Sequence, residues 1–335
     1  MPMIRTLVAL GLLISLATAS AQAQPIPVTM ALDWTPNTNH IGIFVAQAKG
    51  FYDEAGLDVQ ILPYSDTSAG TLVANHVADF GILGSIGLLT QRTAGADLVA
   101  TYALVQTETG RLVFNADRQD IQTPRDLDGK TYAGFGSDWE NALIGTMIRH
   151  DGGSGEFETV TLGTSAYEAL ANGAVDFTLE VYTWEGIKAE RDGPAQRAFR
   201  YADYGVPDQH TNFIGTSSAY LSEHPETARA FIVASQRGYQ YAITNPDEAT
   251  DILVAANADA LLDWDFVRAS LQALIDGDYL ASETGEVGTI DPAKMAAVGA
   301  FLFEAGMLKD GNGTMLTQMP DLDTYYSNDY LGNPP

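Results

Sequence analysis

The side chains best suited to chemistry crowd into one octapeptide, Asp33-Trp34-Thr35-Pro36-Asn37-Thr38-Asn39-His40. An indole offers a flat apolar face, and carboxamides offer the donors and acceptors that read the edge of a heteroaromatic ring. This is the chemistry of small-molecule recognition. The plain alternative is a polar turn in which Pro36 sets φ. One of Asn37 and Asn39 is expected to cap the helix that follows, and His40 either faces a ligand or braces the loop. No HExxH, P-loop, GxSxG or closely spaced His and carboxylate cluster occurs, so hydrolysis and metal catalysis find no support.

The octapeptide needs a scaffold, and its flanks supply one. Val28, Met30 and Leu32 alternate as in a strand, and Ile43, Phe44 and Ala46 recur as in a helix. Turns of this kind at strand carboxyl ends are where ligands sit in doubly wound α/β layouts. Strand and helix patterns alternate from residue 27 to about 215. Strands are predicted over 57–61, 77–83, 98–105, 131–135, 159–162, 175–180 and 213–216. Helices are predicted over 139–149, 165–171 and 184–191, and a long periodic one over 225–244. Ser85 and Ser137 are placed to cap helices. Thr123, Pro124 and Gly129 read as the cap, first residue and exit of a further turn. Two α/β halves joined by two crossings, near 110–116 and 205–216, and followed by a helical tail, give the plan of a two-lobed binding protein. Residues 24–112 and 213–335 form lobe one and residues 113–212 lobe two, with no internal repeat.

The bulk properties agree. Arg5, the apolar run Leu7–Leu16 and Ala21-Gln22-Ala23 read as a cleavable export signal over residues 1–23. No later segment approaches a membrane-spanning length. With no cysteine in 335 residues, disulfides, thiolate catalysis and a lipid-bearing cysteine are excluded. An exported, unanchored periplasmic monomer is the expectation. Against 43 acidic residues stand 17 basic ones, a net charge of −26. That argues against nucleic acid or an anionic membrane surface as partner.

Several segments carry a family resemblance. LDWTPNTNHIGIFVA (Leu32–Ala46) resembles the SsuA/Thi5-like substrate-binding proteins of ABC importers, within them the thiamine-precursor pyrimidine-binding branch. Lys49-Gly50-Phe51-Tyr52 with Gly56-Leu57-Asp58-Val59, Asp79-Phe80-Gly81, DFTLEVYTWEGIKAE (Asp176–Glu190) and Tyr325–Leu331 are similar to further stretches of that branch. The resemblance implies a type II periplasmic binding protein fold, α/β in class, with a ligand cleft between the lobes. It implies a periplasmic solute-binding protein that passes a small planar heterocycle to an ABC permease, without enzymatic activity or cofactor. A thiamine pyrimidine precursor of the formylaminopyrimidine or hydroxymethylpyrimidine type is the first expectation, and riboflavin or another heterocycle the alternative. The branch also contains a self-consuming pyrimidine synthase that uses its own His with pyridoxal phosphate and iron. Its cysteine-rich segment has no counterpart here. A sulfonate or nitrate binder would need a cationic cleft, which the singled-out segments do not supply.

On that resemblance Trp34 is expected to stack on the ring, and Asn37 and Asn39 to read its nitrogens and exocyclic amine. Glu180 ends a strand otherwise apolar at Val175, Phe177 and Leu179, so it either pairs with an aminopyrimidine or is held in a structural pair. One of Tyr182 and Trp184 forms the opposite wall. Ser137, Trp139 and Glu140 open a lobe-two helix at the cleft, and Ser85 does so in lobe one. Asp208, Gln209 and His210 are hinge or cleft residues.

Overall fold

The structure, a computed structural model, describes residues 24–282 and 284–332; the expected export signal lies outside them. Ten strands run β1 Ile26–Ala31, β2 Leu57–Leu62, β3 Phe80–Gly84, β4 Val99–Ala103, β5 Gly110–Asn115, β6 Thr131–Gly134, β7 Glu158–Thr161, β8 Phe177–Val181, β9 Gln196–Arg200 and β10 Asn212–Thr216. They form two five-stranded sheets, ordered β2-β1-β3-β10-β4 and β7-β6-β8-β5-β9. In each sheet the first three strands are parallel, and the next strand joins them antiparallel. Parallel neighbours need helical crossovers, which cover both sheet faces and make two α/β lobes. The chain passes between the sheets after β4 and again before β10.

Residue choice explains most of the lobe-one packing. Val28 and Met30 of β1 are buried, and Phe80 at the start of β3 stacks on Phe231 with ring centroids 4.2 Å apart. The Asp79 carboxylate accepts from both the Thr29 N–H (2.7 Å) and its hydroxyl (2.8 Å), which fixes the β1–β3 register. The helix Pro225–Thr244 begins and ends where its periodicity predicts. Pro225 fits at the first turn because no N–H is needed there. This helix crosses the helix Ile41–Ala48 at Gly42 and Gly238, where a Cβ on Gly238 would lie 1.9 Å from the Gly42 carbonyl oxygen. Gly238→Ala should therefore overpack the crossing and lower stability by about 1–3 kcal/mol, read as a lower urea midpoint. An unchanged midpoint would show that the two helices part freely.

Departures from the sequence reading are local. The strand expected from Val77 starts only at Phe80, because His76 takes φ 57° and Val77 is 58% exposed on a turn. The segment 110–116, expected as a crossing, is occupied by β5, which pairs with β8 and with β9, a strand not anticipated. Ser85 is not a capping residue. Extended Gly84 holds that position, and Ser85 is the first residue of the helix Ser85–Thr93. Ser137 does cap the helix Asp138–His150, in a reciprocal box with Glu140. No helix among the described residues is long and apolar enough to cross a membrane.

Candidate functional site

The octapeptide leaves β1 at its carboxyl end and enters a 3-10 turn at Thr38–His40. Asn37 is the cap: its Oδ1 accepts from the Asn39 N–H (2.9 Å), and its Nδ2 donates to the Thr35 carbonyl (3.0 Å). His40 is fully buried and braces the loop from behind. Its Nδ1 accepts from the Asn37 N–H (3.4 Å), which leaves Nε2–H to donate to Asp33 Oδ1 at 2.8 Å. Thr38 is anchored across the molecule. Its hydroxyl donates to Ser270 Oγ (2.6 Å), and Ser270 in turn donates to the Thr183 carbonyl. The loop is thereby tied to the π-helical turn Tyr182–Gly186 that follows β8.

A cavity of about 250 Å³ opens between the loop and lobe two, lined by Trp34, Asn37, Asn39, Phe135, Trp184 and Glu185 among others. Trp34 stands edge-on to Phe135 with centroids 6.4 Å apart, so aromatic surface from the two lobes meets across the gap. Trp184 closes the other side, packed on Phe266 of the helix Trp264–Asp276 at 4.5 Å. Of the pair left open by the sequence, Trp184 lines this cavity and Tyr182 does not. The Tyr182 ring lies 4.1 Å beneath the Arg111 guanidinium. A larger cavity of about 630 Å³ lies along the outer edge of β2 and lacks convergent aromatic walls.

Ser85, Ser137, Trp139, Glu140 and Glu180 line an adjoining chamber, not the indole-walled one. Each is already engaged. Ser85 donates to the His210 carbonyl. Glu140 accepts from the Tyr132 hydroxyl (2.6 Å) and from the N–H groups of Phe135 and Ser137. Burial pushes its pKa up, but these hydrogen bonds outweigh burial and hold it below the usual range. Trp139 packs edge-on against Phe301 at 5.8 Å. Glu180 is buried and accepts from Arg111 Nε at 2.8 Å. Burial raises its pKa and the guanidinium opposes the shift. Of the two roles left open for Glu180, the geometry is that of the structural pair. His40 and Tyr182 line neither chamber.

A carboxylate oxygen without a partner belongs to a residue the sequence reading passed over. Glu185 lines the indole-walled cavity, its Oε2 has no hydrogen-bond partner, and burial pushes its pKa up to about 7. Asn212 Oδ1 is likewise buried, unpartnered and on the wall of the same cavity. Unsatisfied buried acceptors are uncommon in folded proteins and mark places where a ligand or water completes the network. The available signal was the WEG triplet, one residue past the aromatic that was singled out.

A family model described as NMT1/THI5 like matches residues 37–249, well over half of the chain. The chain belongs to the NMT1/THI5-like family. It is 29% identical over 238 residues to the formylaminopyrimidine-binding protein of Halalkalibacterium halodurans, covering 70% of this chain and 71% of the relative. It is 24% identical over 237 residues to a 4-amino-5-hydroxymethyl-2-methylpyrimidine phosphate synthase, THI13, of Saccharomyces cerevisiae, covering 66% and 68%. The alkanesulfonate-binding protein SsuA from Xanthomonas axonopodis pv. citri, solved with MOPS bound, superposes with TM-score 0.64 at 15% identity, over 87% of this chain and 96% of that one. This last likeness gives the fold: two α/β lobes of the periplasmic-binding-protein type. The likeness to the formylaminopyrimidine-binding protein supports a substrate-binding role.

Proposed function

We propose that this protein is an exported, non-enzymatic solute-binding component of an ABC importer. It captures a small planar amino-heterocycle, first among them a thiamine pyrimidine precursor, and delivers it to an inner-membrane permease. In this reading residues 24–112 and 213–335 act as one lobe and 113–212 as the other, and closure buries the ring between them. The observation that carries the reading is the pairing of Trp34 and Trp184 walls with unpartnered acceptors, Glu185 Oε2 and Asn212 Oδ1, on one cavity. Indole faces hold a flat ring by stacking, and acceptors select a ring whose edge bears N–H donors. The 29% identity to a formylaminopyrimidine-binding protein supports the same class of ligand. Function then lies in differential affinity, since the permease needs only to prefer the closed, loaded form.

Native mass spectrometry of the protein purified from its own periplasm, followed by calorimetry with 4-amino-5-hydroxymethyl-2-methylpyrimidine, tests this. A bound pyrimidine and saturable binding are expected. Production of pyrimidine on incubation with pyridoxal phosphate and iron would instead place the chain with the synthases.

A further inference from the structure

The cleft continues beyond the indole-walled cavity. Gly84, Phe135, Leu179, Val181 and Thr211 line both that cavity and the adjoining chamber of about 330 Å³, so the two form one bent space. Glu108 and Gln209, on the two segments that join the lobes, also line the chamber. Gln209 is only 3% exposed. Its Nε2 donates to Glu108 Oε2 at 2.5 Å, which fixes the amide, since the reverse orientation would set two acceptors against each other. That leaves Gln209 Oε1 buried without a donor. The penalty of such an atom is relieved when a ligand donor reaches it.

The chamber's charge narrows the ligand further. Glu108, Glu140 and Glu180 line it, and no Lys, Arg or His does. Their existing partners come from the protein: Gly110 N–H for Glu108, Tyr132 and backbone for Glu140, Arg111 for Glu180. The helix Asp138–His150 starts beside this space, and at its cap the Glu140 carboxylate accepts from the Ser137 N–H. An anionic substituent would meet carboxylates in a medium of low dielectric constant and be repelled.

We propose that this second chamber is a subsite for a hydroxyl, amide or amine substituent carried by the bound ring, with Gln209 Oε1 as its acceptor, and that it rejects phosphate esters. The proposal rests on the ring-binding reading above. Calorimetry with three probes tests it: 4-amino-2-methylpyrimidine, its 5-hydroxymethyl derivative, and the phosphate ester of that alcohol. The alcohol should bind about tenfold tighter than the bare ring, and the ester at least about tenfold weaker than the alcohol. In Gln209→Met the alcohol should lose its advantage, so that the two uncharged rings bind within about twofold of each other. An ester that binds as tightly as the alcohol overturns the proposal. So does a Gln209→Met protein that keeps the alcohol's full advantage. Should that variant not fold, the three-probe comparison on the unaltered protein decides alone. Bare-ring binding with no gain from the hydroxymethyl group overturns the subsite only, whereas no binding of either uncharged ring overturns the ring reading and the subsite together.

Discussion

Glu185→Gln should make the unliganded protein more stable at pH 8 and a poorer binder. In the folded chain burial holds the Glu185 carboxyl protonated up to about pH 7, whereas the ordinary value is 4.5. Between those two values the unfolded chain has released the proton and the folded chain still holds it. Stability therefore falls as pH rises through this window and levels off above it. The cost of ionising the buried group is at most about 3 kcal/mol from the shift, and less where the cavity admits water. Glutamine carries no charge to desolvate, so the variant should lose this part of the fall in melting temperature between pH 5 and 8. Differential scanning calorimetry at the two ends reads this directly. The same change removes a charged acceptor from the ring's edge, a loss of about 1.5–3 kcal/mol, or roughly 10- to 150-fold in affinity. A variant that is less stable at pH 8 would mean that Glu185 serves the fold.

What the sequence made legible divides along physical lines. The Asp33–His40 loop stood out because its residue types conflict with a packed turn, and Trp34, Asn37 and Asn39 do gather on one cavity wall. The helix Pro225–Thr244 was legible because its 3.6-residue periodicity is long and starts at a proline. β5 was not, since Gly110 and Arg111 interrupt the apolar run of a strand whose arginine is matched by Glu180, 69 residues away. β9, QRAFR, reads as a charged surface stretch until its neighbour is known. Glu185 was hidden by local geometry. A helix was predicted from Trp184, but the turn Tyr182–Gly186 is π-helical, and its wider winding re-aims the side chains that α-helical spacing would place. The strand-end carboxylate, Glu180, is bound to a distant guanidinium, and Oε2 of the one in the turn has no partner.

Trp34→Ala should separate binding from folding. The indole is half-buried, its aromatic neighbours are Tyr64 at 5.1 Å and Phe135 at 6.4 Å, and it belongs to none of the buried core clusters. Removing it opens no core cavity, so the melting temperature of the unliganded protein should change by less than the equivalent of about 1 kcal/mol. A ring that loses this wall forfeits its stacking and the water-excluding surface beneath it, together about 2–4 kcal/mol, or roughly 30- to 1000-fold in affinity. Trp184→Ala supplies the contrast. Trp184 packs on Phe266 and joins the lobe-one core, so its removal should lower stability and affinity together. The two walls differ in how they are held. Trp34 touches Phe135 only across the gap, whereas Trp184 is fixed to lobe one by packing and by the Thr38–Ser270–Thr183 relay behind it. Parallel losses of stability and affinity in Trp34→Ala would make it a second fixed wall.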